Sequence, residues 1–267
     1  MNRLSLLLLV LPACGNDPAK QPDAAVLHDA QAIVDVAPPD AAAHVEGLIL
    51  VSQGGTVGSA STSSGVSSQF VEGSVFGTPL GTSGPCSASH MPPSKGISAG
   101  TITVTGTLAA ITATPNGVAP LVGYTNAPSP PKPLFATGAS ITVQAAGAAF
   151  PAFTTTVTAP AAVAGVTSPT TMSRQGFTAT WTAGAGPKMW VLIVGTNGSS
   201  FDILLCRVND TGSYAVPAAA FALLPAADTQ ANLSIARVDE KITTFASGTV
   251  DVGVATELSS SPFPLTN

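Results

Sequence analysis

Strict alternation of apolar and hydroxyl side chains runs through most of this chain. Between Gly100 and Leu108, Ile102, Val104 and Leu108 fall on one side of an extended segment, and Thr101, Thr103, Thr105 and Thr107 on the other. Phe177, Ala179 and Trp181 oppose Thr178, Thr180 and Thr182 in the same way, and the pairs Ile141/Val143 and Phe153/Val157 repeat the pattern. A period of two marks a strand with one face buried and one in water, and threonine suits the wet face. Met189 to Val194 is apolar on both faces, as in a central strand. The pattern predicts strands near 47–54, 67–76, 97–108, 139–146 and 152–159, then near 176–183, 188–195, 201–208, 231–238 and 248–255. Gly77 to Gly96 and Pro115 to Pro133, rich in Pro, Gly and Ser, read as long loops. One or two helical turns fit between Val216 and Pro225. Strands separated by turn residues at this spacing predict an all-β fold of two β-sandwich domains, 45–163 and 164–267, divided where Pro160 and Pro169 bracket an Ala/Val/Gly stretch.

The first 44 residues carry a different pattern. Met1-Asn2-Arg3 is positively charged, Leu4 to Leu11 is almost wholly Leu and Val, and Pro12-Ala13-Cys14 follows. A charged start, a short apolar run and a small residue at the cut make a secretory signal peptide. The apolar run is far below the roughly 20 residues needed to span a bilayer. Leu11-Pro12-Ala13-Cys14 resembles the lipobox of bacterial lipoproteins. That resemblance implies a signal peptide over 1–13, lipidation of Cys14 and a membrane held through acyl chains. Gly15 stands where an inner-membrane retention signal would place Asp, so the resemblance favours the outer membrane within the cell envelope. Residues 14–44, made of Ala, Pro and evenly spaced Asp with few aliphatics, then read as a disordered, flexible tether.

Composition narrows the chemistry. Charged residues are 9% of the chain, and 26 Gly with 23 Pro exclude long helices. No Asp or Glu occurs between Glu72 and Asp202, and Lys and Arg are scattered. Phosphate backbones need clustered cations, so no nucleic-acid partner is expected. Hydrolysis and acid–base chemistry draw on paired carboxylates, histidines or activated nucleophiles, and this inventory points away from an enzyme. No cofactor is implied.

Three constellations remain. Asp210-Thr-Gly has the letters of the aspartic-protease signature, but such sites need two carboxylates sharing a proton and the motif occurs once, after Asn209. It reads as a turn. Pro85-Cys-Ser-Ala-Ser-His-Met-Pro92 resembles the copper loop of cupredoxins, with His44 upstream. The alternative it carries is a copper electron-transfer site of His44, Cys86, His90 and Met91, although Met91 adjoins His90 with no spacer. Under the lipoprotein reading Cys86 and Cys206 are the two thiols left in an exported body. They either pair as a disulfide or leave Cys206 buried alone.

Trp181 on an early strand and Cys206 on a later one resemble an immunoglobulin-like or fibronectin type III sandwich. The lipobox, the Ala/Pro/Asp tether, Ser98-Ala-Gly-Thr-Ile-Thr-Val-Thr-Gly106 and Val216-Pro-Ala-Ala-Ala together resemble surface lipoproteins of myxobacteria, a group that brings no known activity. The expectation is a membrane-anchored, non-catalytic module for binding, adhesion or envelope structure, with a protein or carbohydrate ligand. Tyr124, Trp190 and Tyr214 are the aromatic residues to watch as a ligand platform, a role less common for such residues than core or rim packing.

Overall fold

A computed structural model of the chain describes residues 44–60, 62–91, 95–119, 122–186, 188–198 and 200–267. The expected signal peptide, Cys14 and the tether up to residue 43 lie outside them. The first strands are β1 (Val45–Thr56), β2 (Thr62–Glu72), β3 (Thr78–Ser83), β4 (Cys86–His90) and β5 (Lys95–Gly96). Then come β6 (Ile102–Thr105), β7 (Ile111–Asn116), β8 (Gly123–Ala127), β9 (Ser140–Ala145) and β10 (Phe153–Thr158). The chain continues with β11 (Met172–Ser173), β12 (Gly176–Thr180), β13 (Lys188–Thr196), β14 (Phe201–Val208) and β15 (Ser213–Pro217). The short α1 (Ala218–Phe221) precedes β16 (Gln230–Phe245), β17 (Gly248–Ser259) and β18 (Phe263–Thr266).

The body is all-β. Its main sheet runs β3-β4-β14-β13-β16-β17-β1-β2-β5. Along this path every pairing is antiparallel except β1 with β17, which is parallel from Val45↔Gly248 to Thr56↔Ser259. A second sheet runs β10-β9-β6-β7-β8, and β12 pairs with β15.

Side-chain parity explains how these layers stack. On β1, Val45, Ile49 and Val51 point the same way as Val250, Val252 and Val254 of the adjoining β17. They pack with Ile102, Val104, Ile141 and Val143 of the five-stranded sheet, around rings of Phe70, Phe150 and Phe153. Farther along the same face, Met189, Val191, Ile193, Leu204, Leu233 and Ile235 form a second core with Trp181, Val216, Phe221 and Phe263. One face of one sheet thus carries two cores side by side. The opposite face carries a smaller cluster of Trp190, Leu205, Ala236, Val238 and Ala255.

This arrangement corrects the division into domains 45–163 and 164–267. The two cores lie largely on either side of residue 163, but the sheet beneath them does not break there. β3 and β4 leave the first segment to join β14, and β17 leaves the second to join β1. The described residues from 44 to 267 belong to one compact unit.

Two further expectations change. The segment from Gly77 to Gly96 is β3, β4 and β5 rather than an irregular loop. The extended run to Leu108 ends early: Gly106 takes φ +84, and a Cβ there would stand 2.0 Å from the Ser140 carbonyl oxygen. Only glycine makes that turn at no steric cost, and beyond it Leu108 is 63% exposed instead of buried.

The outer edge of β2 is closed by side chains and loop backbone. The Thr62 carbonyl accepts from Lys132 Nζ, that of Val66 from Asn126 Nδ2 at 2.8 Å, and that of Phe70 from the Ile97 N–H at 2.8 Å. Ser64 Oγ donates to the Pro131 carbonyl at 2.8 Å, holding the proline-rich segment against the strand. Unpaired edge backbone is a template for association, and here the carbonyl of every fourth residue from Thr62 to Phe70 is occupied.

Candidate functional site

Cys86 and Cys206 stand directly opposite on β4 and β14 and are joined by a disulfide, S–S 2.09 Å. Both are fully buried in the second core, where Tyr214 Oη lies 3.5 Å from the Cys86 sulfur. The bridge fastens a hairpin from the first half of the chain to the sheet of the second.

At the far end of the same ladder His90 faces Asp202. Asp202 shares the parity of Leu204 and Cys206, which turns its carboxylate inward to 0% exposure. A carboxylate only accepts, so His90 Nδ1–H donates to Asp202 Oδ1, 2.8 Å away. The imidazole remains 40% exposed. Asp228, 1% exposed, lies in the turn before β16. Burial first, and the charge of Asp202 second, push its carboxyl up to about 6, against the pull of Arg174 and His90. Neither aspartate was singled out from the sequence. Ile203, Leu204 and Leu205 are apolar on both faces of the strand, so local sequence does not mark Asp202 as inward-facing.

The four residues of the copper alternative do not come together. Cys86 is spent in the disulfide and His90 on Asp202. His44 precedes β1, five strand steps along the sheet from β4. At about 4.8 Å per step that is roughly 24 Å of separation. His44 instead lies 3.4 Å from Glu46. Among the described residues no group of three or more His, Cys, Asp or Glu side chains is placed to hold a metal ion.

Asp210 of the Asp-Thr-Gly string serves the packing. Its carboxylate accepts from Trp181 Nε1 at 2.8 Å, Arg237 Nε at 2.7 Å and the Gly186 N–H at 3.3 Å. On the outer face, Arg207 lies over the rings of Trp190 and Phe76, 5.1 and 5.7 Å from their centroids, with Glu240 and Asp251 3.7 and 3.8 Å away. Of the three aromatic residues expected to meet a ligand, Trp190 is buried. Tyr124 packs on the first core with its Oη accepting from the Ala99 N–H, and Tyr214 packs on the second.

An open cleft of about 440 Å³ lies between the ends of β1, β2 and β17 and the 162–163 connection. Gln53, Ser63, Lys132 and Glu257 give it polar walls, with Pro133 and Val163 among its apolar lining. Burial raises the Glu257 carboxyl, partly offset by a hydrogen bond from Ser234. Gln53 is itself fixed, its Oε1 accepting from the Leu134 N–H at 2.8 Å.

No protein-family model matches the chain, and neither the curated proteins nor the solved structures contain a significant match.

Proposed function

We propose that this chain is a lipid-anchored protein of the cell envelope, attached through Cys14, whose all-β body is a non-catalytic binding module. The observation that carries the reading is the commitment of its reactive side chains to structure. Cys86 and Cys206 bond each other, Asp210 is taken by Arg237 and Trp181, and Arg207 lies between Glu240 and Asp251. His90 and Asp202 are paired with each other, and among the described residues no hydrogen bond joins either to a serine, threonine or cysteine. What the body offers is a concave site. The cleft beside Gln53, Ser63, Lys132 and Glu257 mixes hydroxyl, amide and charged walls with an apolar lining, which suits a polar carbohydrate or peptide ligand. Two or more acyl chains at Cys14 hold a protein stably at a bilayer, whereas one gives marginal binding.

Fractionation of cells making the wild type and Cys14→Ser tests the anchor. The wild type should follow outer-membrane vesicles and the variant should be released. A variant that stays wholly with membranes overturns the anchor. Turnover of any ester, peptide or glycoside substrate that is lost in His90→Ala overturns the non-catalytic body.

A further inference from the structure

Three carboxylate oxygens at the end of the second core, Asp202 Oδ2 and both oxygens of Asp228, have no hydrogen-bond donor among the described residues. Both side chains are out of water, at 0% and 1% exposure. Their proximity is set by backbone. Gly195 of β13 is paired directly with Asp202 of β14, and a Cβ on Gly195 would stand 2.6 Å from Asp228 Oδ2. The absence of a side chain there lets the 225–229 turn bring its carboxyl down onto the sheet beside Asp202.

We infer that Asp202 and Asp228 hold one proton between them, and that losing it releases the 225–229 turn and the C-terminal strand β18 from the sheet. Two neighbouring buried carboxylates with one donor for four oxygens cannot both be ionised cheaply. A proton shared between neighbouring carboxyls relieves the repulsion and supplies the missing donor. The charged groups facing the pair are His90 from β4 and Arg174 beyond β11. His90 gives its Nδ1–H to Asp202 Oδ1. Arg174 contributes positive charge to Asp228, but its guanidinium donates to the carbonyls of Phe221, Leu224, Pro225 and Asp228. The donors of its two terminal nitrogens are therefore used on backbone, and a proton is the partner left for the orphan oxygens.

The turn is a hub for the chain end. The Thr229 N–H donates to the Thr196 carbonyl and the Leu265 N–H to that of Thr229. Gln230 and Ala231 pair with Pro264 and Phe263. Displacing Asp228 therefore loosens β18 with it.

The sign of the pH effect follows from the direction of the shift. The folded carboxyl is raised from 3.8 to about 6. Its contribution to stability is complete below the unfolded value and is lost as pH rises through the folded one. Amide exchange on the folded chain, corrected for intrinsic rates, reads this directly. Between pH 5 and 7.5 the protection of 228–231 and 263–266 should fall about tenfold relative to the β1–β17 amides. Asp228→Asn, which keeps the shape and cannot ionise, should hold that protection constant. An unchanged ratio in the wild type, or a variant that loses protection as the wild type does, overturns the proposal. Should Asp228→Asn fail to fold, carboxyl NMR of the ¹³C-Asp-labelled wild type decides. A titration above pH 5.5 at the pair upholds the shared proton, and two independent titrations below pH 5 overturn it.

Discussion

Arg237 and Asp210 form an ion pair at 2.7 Å with side chains only 3% and 2% exposed, at the seam between the two cores. The other guanidinium nitrogens donate to the carbonyls of Ala161, Ala162 and Thr182. The chain linking β10 to β11 is thus tied to the middle of β16 by one side chain. Thr256 Oγ1 adds a bond to the Ala161 carbonyl at 2.7 Å.

Removing one partner of a buried pair leaves the other charge uncompensated, at a cost of about 3–5 kcal/mol. Arg237→Met is expected to destabilise the body by that amount, read as a lower urea midpoint at an unchanged slope. Burial pushes the Asp210 carboxyl up, but Arg237 and Trp181 together hold it below its ordinary value. The stability Asp210 contributes is therefore present at neutral pH and lost as pH falls through its lowered folded value. In Arg237→Met that acid sensitivity should diminish. A variant with wild-type stability would show that the seam is held by packing alone.

The disulfide closes a sequence separation of 120 residues. Cross-links over loops of this length contribute about 2–5 kcal/mol. The double variant Cys86→Ala/Cys206→Ala should lose that much by thermal unfolding, with amide protection lost first in β3 and β4. Intact-mass measurement of the exported protein should show two added hydrogens only after reduction. Two thiols that alkylate freely without reductant would contradict the bridge.

Asp251 offers a separate pH dependence on the outer face. Burial first, and the neighbouring Glu240 second, push its carboxyl up to about 6, while Arg207 pulls it down. Its contribution to stability is complete below the unfolded value near 4 and lost as pH rises through about 6. Asp251→Asn should therefore flatten the decline in stability between pH 4 and 7, by at most about 3 kcal/mol. Thermal melts across that range check it. A variant whose curve parallels the wild type would place the titration elsewhere.

Much of the sheet was legible in the residues. The run Met189 to Val194, apolar on both faces, became β13, with a core on each side. Thr154, Thr156 and Thr158 lie outward on β10 as alternation requires. The strands β3, β4 and β5 were not legible, because Pro79, Gly81 and the serines beside them have loop propensity. Their order comes from pairing with β14 and β2 and from the disulfide, which local sequence does not encode. The shared sheet was hidden for the same reason. Nothing in Val45 to Val51 reveals that its second neighbour is more than two hundred residues downstream, at 248–259. Of the candidate site, neither the inward parity of Asp202, beside the all-apolar Ile203 to Leu205, nor its meeting with Asp228 at a turn placed by Gly195 could be read.

That parallel pair sets the order in which the chain can acquire its structure. A strand at residues 45–56 whose lasting neighbour lies at 248–259 has only a hairpin with β2 for company while the intervening chain is being made. An isolated hairpin is marginal in water. The five-stranded sheet can form meanwhile from local pairings, but its apolar face has no complete floor until β17 arrives. Non-local closure of this kind is slow, and it reserves the final cooperative step for the arrival of residues 248–259. Until β17 emerges, the β1–β2 hairpin stays free to be threaded.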